Sequence, residues 1–140
     1  MAVKTYDPKD VIVTFGGNII TGFADGTAIT AERNEDMWTT QIGVDGEGTR
    51  SKSNNKSATV TVSLMQSSDA NAVLSALALA DEAANSSALP LQIKDNSGST
   101  LLIAETAWIR KMPTVEYSRE AGPREWVFET DVLVMNVAGN

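Results

Sequence analysis

The chain has 140 residues, 42% of them hydrophobic and 21% charged, which suits one globular domain with a real core. It has no cysteine and no histidine, which excludes disulfides, thiolate nucleophiles, Ser-His-Asp chemistry and the commonest zinc ligands. Its net charge of −7, from 18 acidic and 11 basic residues, argues against tight binding to a phosphate backbone.

The opening Met1-Ala2-Val3-Lys4-Thr5-Tyr6-Asp7 lacks the apolar core of a secretory signal. No segment approaches the ~20 apolar residues of a membrane-spanning helix. The expectation is therefore folding in a reducing cytoplasm. Residues 11–15 are β-branched and apolar, and Gly16-Gly17-Asn18 offers a tight turn. Residues 19–23 return as a second strand, so a hairpin is predicted. After the Asp25-Gly26 turn, residues 27–33 and 37–42 read as strands.

Residues 43–57, GVDGEGTRSKSNNKS, hold three glycines, two asparagines and five charges around one apolar residue. That composition predicts a long polar loop, and loops of this length are usually functional or mobile. Residues 58–64 alternate, with Ala58, Val60, Val62 and Leu64 on one face and Thr59, Thr61 and Ser63 on the other. A helix is predicted over 69–84, with Ser67, Ser68 and Asp69 as cap candidates. Its apolar face is read as Val73, Leu77, Ala80 and Ala84, widened by Leu74 and Ala78.

Strands follow at 89–94, 100–111, 114–118 and 126–137. They are separated by the 95–98 turn, Met112-Pro113 and a 119–124 loop. The last strand is apolar on both faces, with Trp126, Phe128, Val132 and Val134 opposite Val127, Leu133, Met135 and Val137. Only Glu129 and Asp131 interrupt the second face. Such a strand must be covered on both sides, by a partner subunit or by an irregular core. The fold expected is mainly β, a β-barrel or sandwich with one flanking α-helix, in one domain over 1–140.

Chemical motifs are absent. Asp45-Gly46-Glu47 lacks the ligand register of a calcium loop. The pairs Glu35-Asp36 and Glu129/Asp131 read as solvated surface charge rather than as a glycosidase dyad. No nucleophile elbow, phosphate loop or dinucleotide fingerprint is present. Arg50, Lys52 and Lys56 form a small basic cluster that suits a protein partner through complementary charge. Trp38, Trp108 and Trp126 read as core or interface anchors. A structural protein is expected, with no catalytic residue, metal or cofactor.

The stretch Ile42 to Ser51, then Asn54-Asn55-Lys56-Ser57, then Thr59 to Ser68, resembles the tail tube proteins of contractile-tailed bacteriophages. More narrowly it resembles the small structural proteins of Pseudomonas myophages of the KPP10 type, and the resemblance extends to the type VI secretion tube protein. The opening residues 10–17 and the closing Trp126-Val127-Phe128 agree with it. The resemblance implies six-membered rings, stacked into a tube inside a contractile sheath. That tube would pass double-stranded DNA without binding it specifically and would pierce the host envelope on contraction. It also implies partners in sheath, baseplate and tape-measure proteins, no membrane anchor, and a virion location after assembly in the host cytoplasm.

In such a tube the 43–57 loop would reach a neighbouring subunit or ring. Asp45, Glu47, Arg50, Lys52, Asn54, Asn55 and Lys56 are its contact candidates. Thr59, Thr61, Ser63, Glu129 and Asp131 are lumen candidates, and Trp126, Leu133 and Met135 interface anchors. Four strands from each of six copies would close a barrel of about 24 strands, roughly 37 Å or more in diameter, whose bore admits duplex DNA even after side chains intrude. Six copies at −7 place −42 on a ring, a wall that repels phosphate. Deleting residues 46–55 should leave a folded monomer that makes no tubes. The competing readings are a baseplate or tail-terminator protein of similar fold, an effector-delivery tube, or a β-sandwich binding module.

Overall fold

The computed structural model describes residues 3–139. Met1 and Ala2, where no secretory signal is expected, lie outside the described residues, as does Asn140. A short 3-10 turn, Pro8–Asp10, leads into the strands. β1 (Val11–Phe15) and β2 (Asn18–Ile20) form the expected hairpin. β3 (Ile29–Arg33), β4 (Trp38–Ile42), β5 (Gly48–Lys52) and β6 (Ala58–Met65) follow. After α1 (Ala70–Ala84) come β7 (Leu89–Asp95), β8 (Leu101–Lys111), β9 (Pro123–Thr130) and β10 (Val134–Asn136).

The main sheet runs β2-β1-β7-β8-β9-β6-β3, with β10 on β8. β2 and β3 stand at opposite ends of that order and do not pair, so the sheet is not a closed barrel. It folds into a sandwich because β8 is long enough to serve two layers. Residues from Leu101 to Ala107 pair with β7, and those from Ala107 to Lys111 pair with β9. Register shifts in both pairings mark the corner, where bulges bend a strand.

Alternation builds the core. Inward residues of β1 and β7 (Val13, Phe15, Leu91 and Ile93) meet inward residues of β6 and β9 (Val60, Val62, Leu64, Trp126 and Phe128). Phe15 and Phe128 touch edge-to-face at 5.0 Å across the layers. A buried side chain of this size contributes about 1.5–3 kcal/mol, and the aromatic geometry adds roughly 0.5–1.5 kcal/mol.

The helix forms where expected, but its buried stripe is rotated. Ala70 and Leu74 are buried and Leu77 and Ala78 are partly so, while Val73, Ala80 and Ala84 face out. The cap explains the helix start. Ser68 Oγ accepts from Ala70 N and donates to the Thr21 carbonyl, which fixes the first turn against the β2–β3 linker. Asp69 makes no side-chain cap bond. Asn85, in the left-handed region at φ 53°, ends the helix.

Three predicted elements are corrected. No strand forms at 114–118; these residues follow the far end of β8, which already pairs with β9. The 126–137 strand is two strands. The Thr130 hydroxyl turns back to the Thr106 carbonyl and accepts from Val132 N, which interrupts the ladder. Finally, the 43–57 segment is not one loop. Its residues 48–52 are β5, paired with β4 from Trp38↔Lys52 to Ile42↔Gly48.

Candidate assembly surfaces

β4 and β5 form a separate two-stranded sheet, and all ten of their residues are exposed. Two-stranded ribbons are at best marginally stable in water alone. This one is held at both ends. At the tip, Gly43 N donates to Glu47 O at 2.8 Å, Gly46 N to Gly43 O at 3.0 Å, and Glu47 N to Asp45 Oδ1 at 3.2 Å. Gly46 takes φ 88°, which this turn requires. At the root, Ser53 N donates to Met37 O, and the Ser53 hydroxyl donates to Glu35. Asn55 Oδ1 accepts from both the amide and the hydroxyl of Ser57, and Asn34 bridges Ser57 to Thr59.

The register divides the ribbon into unlike faces. Trp38, Thr40, Ile42, Arg50 and Lys52 share one face, and Thr39, Gln41, Thr49 and Ser51 share the other. The Arg50 guanidinium lies 4.0 Å over the Trp38 ring. Of the loop candidates, Asp45 and Glu47 therefore sit at the tip, Arg50 and Lys52 on the aromatic face, and Asn54, Asn55 and Lys56 at the root. Sequence reasoning missed Ile42 and Val44 as surface groups, and of its two readings of Trp38, core or interface anchor, the exposed ribbon fits the second. Val44 is fully exposed and Ile42 largely so.

The root also grips the last part of the chain. Leu133 N donates to Lys56 O at 3.0 Å, and Arg33 donates to Leu133 O through Nη2 at 2.7 Å and Nε at 3.2 Å. Leu133 itself is 1% exposed and Trp126 1%, with the Trp126 indole donating to Asn71 Oδ1. Met135 packs on the same core. Trp126 and Leu133 are corrected as candidate interface anchors, because side chains buried in their own core present nothing to a partner, whereas Met135 is only partly buried.

The outward face of β3, β6, β9 and β8 is mostly polar. Cross-strand pairing aligns Glu32, Thr59, Glu129 and Trp108 in one row, and Thr30, Thr61 and Val127 in the next. Ser63 pairs with Glu125 beyond them. Thr59, Thr61, Ser63 and Glu129 thus share one sheet face, whereas Asp131 lies past the end of β9. No cluster of three acidic side chains suited to a metal occurs among the described residues.

A Bacteriophage PhiTE tail tube protein family model matches residues 4–136. The Structural protein ORF10 of Pseudomonas phage KPP10 is 32% identical over 145 residues, covering 98% of this chain and 84% of that protein. Among solved structures, the tube-terminating cap of the anti-feeding prophage superposes with a TM-score of 0.62 at 13% identity, over 99% of this chain and 95% of that one. A chain of a native gene transfer agent virion gives 0.59 at 12% identity, over 95% and 100%. A sheath/tube terminator of an extracellular contractile injection system gives 0.56 at 12% identity, over 98% and 100%.

Proposed function

The chain belongs to the Bacteriophage PhiTE tail tube protein family, and from that premise we propose that it builds the inner tube of a contractile tail. The observation that carries this reading is the family match across residues 4–136, which spans the whole sandwich together with its ribbon. Six copies form a ring, and rings stack. The β4–β5 ribbon supplies the contact to a neighbouring copy. A free ribbon with exposed Trp38, Ile42 and Val44 is a surface awaiting a cover. Each exposed charge pair across such a contact is worth only ~0–1 kcal/mol, so the stack gains its stability by repetition.

The polar face of β3, β6, β9 and β8 lines the lumen, with Thr59, Thr61, Ser63 and Glu129 on it and Asp131 at its margin. Four strands from each of six copies give the ~24 strands of a bore that admits duplex DNA. Glu32, Glu125 and Glu129 place acid on that wall, so phosphate slides past. The chain acts in the virion as a structural part and not as an enzyme. Sheath, baseplate and tape-measure proteins are its partners.

A tail-terminator role is the second reading, because two of the solved structures that share this fold are terminators. Negative-stain electron microscopy of the purified protein separates them. Stacked hollow tubes are expected. Rings that stop at one layer favour the terminator, and monomers at every concentration and salt overturn both.

A further inference from the structure

Arg124 is 7% exposed, yet no carboxylate among the described residues pairs with it. Its guanidinium has two long hydrogen bonds, Nη1 to Pro123 O at 3.3 Å and Nη2 to Glu116 O at 3.4 Å. The Tyr117 ring lies 5.6 Å away. A guanidinium has five N–H donors, and its natural match is a carboxylate held by two of them. A buried cation without a counter-charge is costly, so a site that keeps one is prepared for an anion.

That guanidinium borders a cavity of about 320 Å³ between the start of α1 and residues 112–117. Met112, Val115 and Tyr117 form an exposed apolar lip. The neighbouring polar groups are already engaged. Asn71 bonds the Trp126 indole and the Met65 carbonyl, and Gln66 accepts from Gly122 N. Arg124 is the one cation among the described residues that line the cavity.

The ribbon tip has the complementary character. Val44 is fully exposed, and Glu47 has no side-chain partner among the described residues, whereas Asp45 Oδ1 is used inside the turn. Strand register places the ribbon root well away from the cavity along the sheet. The ribbon root meets β6 at Ala58, opposite Arg33 and Thr130, whereas Arg124 lies opposite Leu64. Six residues of extended strand separate these points by roughly 20 Å. Residues 43–47 are all exposed and do not line the cavity of their own copy. Seated in the cavity of the next copy, they make head-to-tail contacts, which propagate into rings or stacks.

We infer that the β4–β5 tip of one copy seats in the Arg124 cavity of the next, with Glu47 on the guanidinium and Val44 against Met112, Val115 and Tyr117. This inference rests on the proposed assembly role, and it names the receptor of the ribbon. The native chain has no cysteine, so crosslinking reports it cleanly. The double variant Glu47→Cys, Val115→Cys, treated with an oxidant after assembly, should give a ladder of trimers and higher multimers on non-reducing gels. Either single variant can give dimers at most. Glu47→Lys should cut the assembled fraction at least tenfold with the monomer melting point unchanged. Assemblies of the double variant that yield no ladder, or Glu47→Lys protein that assembles like wild type, overturn the cavity assignment and leave the assembly role standing. Wild-type protein that never assembles overturns both.

Discussion

Gly22 shows how one residue sets the position of the helix. It sits at φ +79°, and a Cβ there would lie 2.6 Å from Ser68 Oγ and 2.7 Å from Ser68 Cβ. Ser68 is the residue that caps α1 and holds the Thr21 carbonyl, so it cannot retreat without loosening both. Gly22→Ala should therefore lower stability by about 1–3 kcal/mol, read as a shift in the urea midpoint. Phe128→Ala should cost about 3–5 kcal/mol, because Phe128 fills the centre of the sandwich against Phe15. Arg33→Ala removes two bonds to the Leu133 carbonyl and should cost about 1.5–3 kcal/mol. Hydrogen exchange should then rise first at residues 131–136. Arg124 was also legible in outline. Its spacing of two from Trp126 and of four from Phe128 puts it on the core face, although sequence reading left it in a loop.

At the scale of elements, the ribbon is the unit that matters. Composition alone gave residues 43–57 as loop, since glycine, asparagine and charge dominate them. Residues 37–42 read as a strand, but their pairing with 48–52 is a cross-strand event that no local propensity reveals, and β5 is exposed and polar, so no apolar alternation marks it. The structure therefore refines the deletion test. Removing 46–55 would also remove Ser53 and Asn55, which bind the root. Replacing residues 38–52 with an Asn-Gly turn keeps that root, because Ser53 already pairs with Met37. The trimmed protein should change in stability by less than about 1 kcal/mol in thermal unfolding, while tubes vanish from micrographs. Tubes from the trimmed protein would exclude the ribbon as a contact.

At the scale of the molecule, two faces have different fates. The inner faces of both layers close a core, and the outward face of β3, β6, β9 and β8 is the one proposed for a lumen. Reversing its charge with Glu125→Lys and Glu129→Lys should leave tube formation intact. It should also make the tubes retain duplex DNA in a salt-dependent pull-down, which wild-type tubes should not do. Equal DNA retention by both would remove this face from the lumen.

Local pattern was sufficient for much of this protein. The period-two runs, the alanine-rich helix and the glycine turns dictated strands, helix and hairpin, because each is decided by neighbours within a few residues. The lack of cysteine and histidine bounded the chemistry in the same way. Tertiary structure alone decided the rest: β8 bending to serve two layers, the split at Thr130, the rotated helix face, the ribbon, and the burial of Trp126 and Leu133 within their own subunit. Each of these depends on contacts between residues far apart in the chain. Such contacts form only where the closed fold brings two faces together, so no window of sequence contains them.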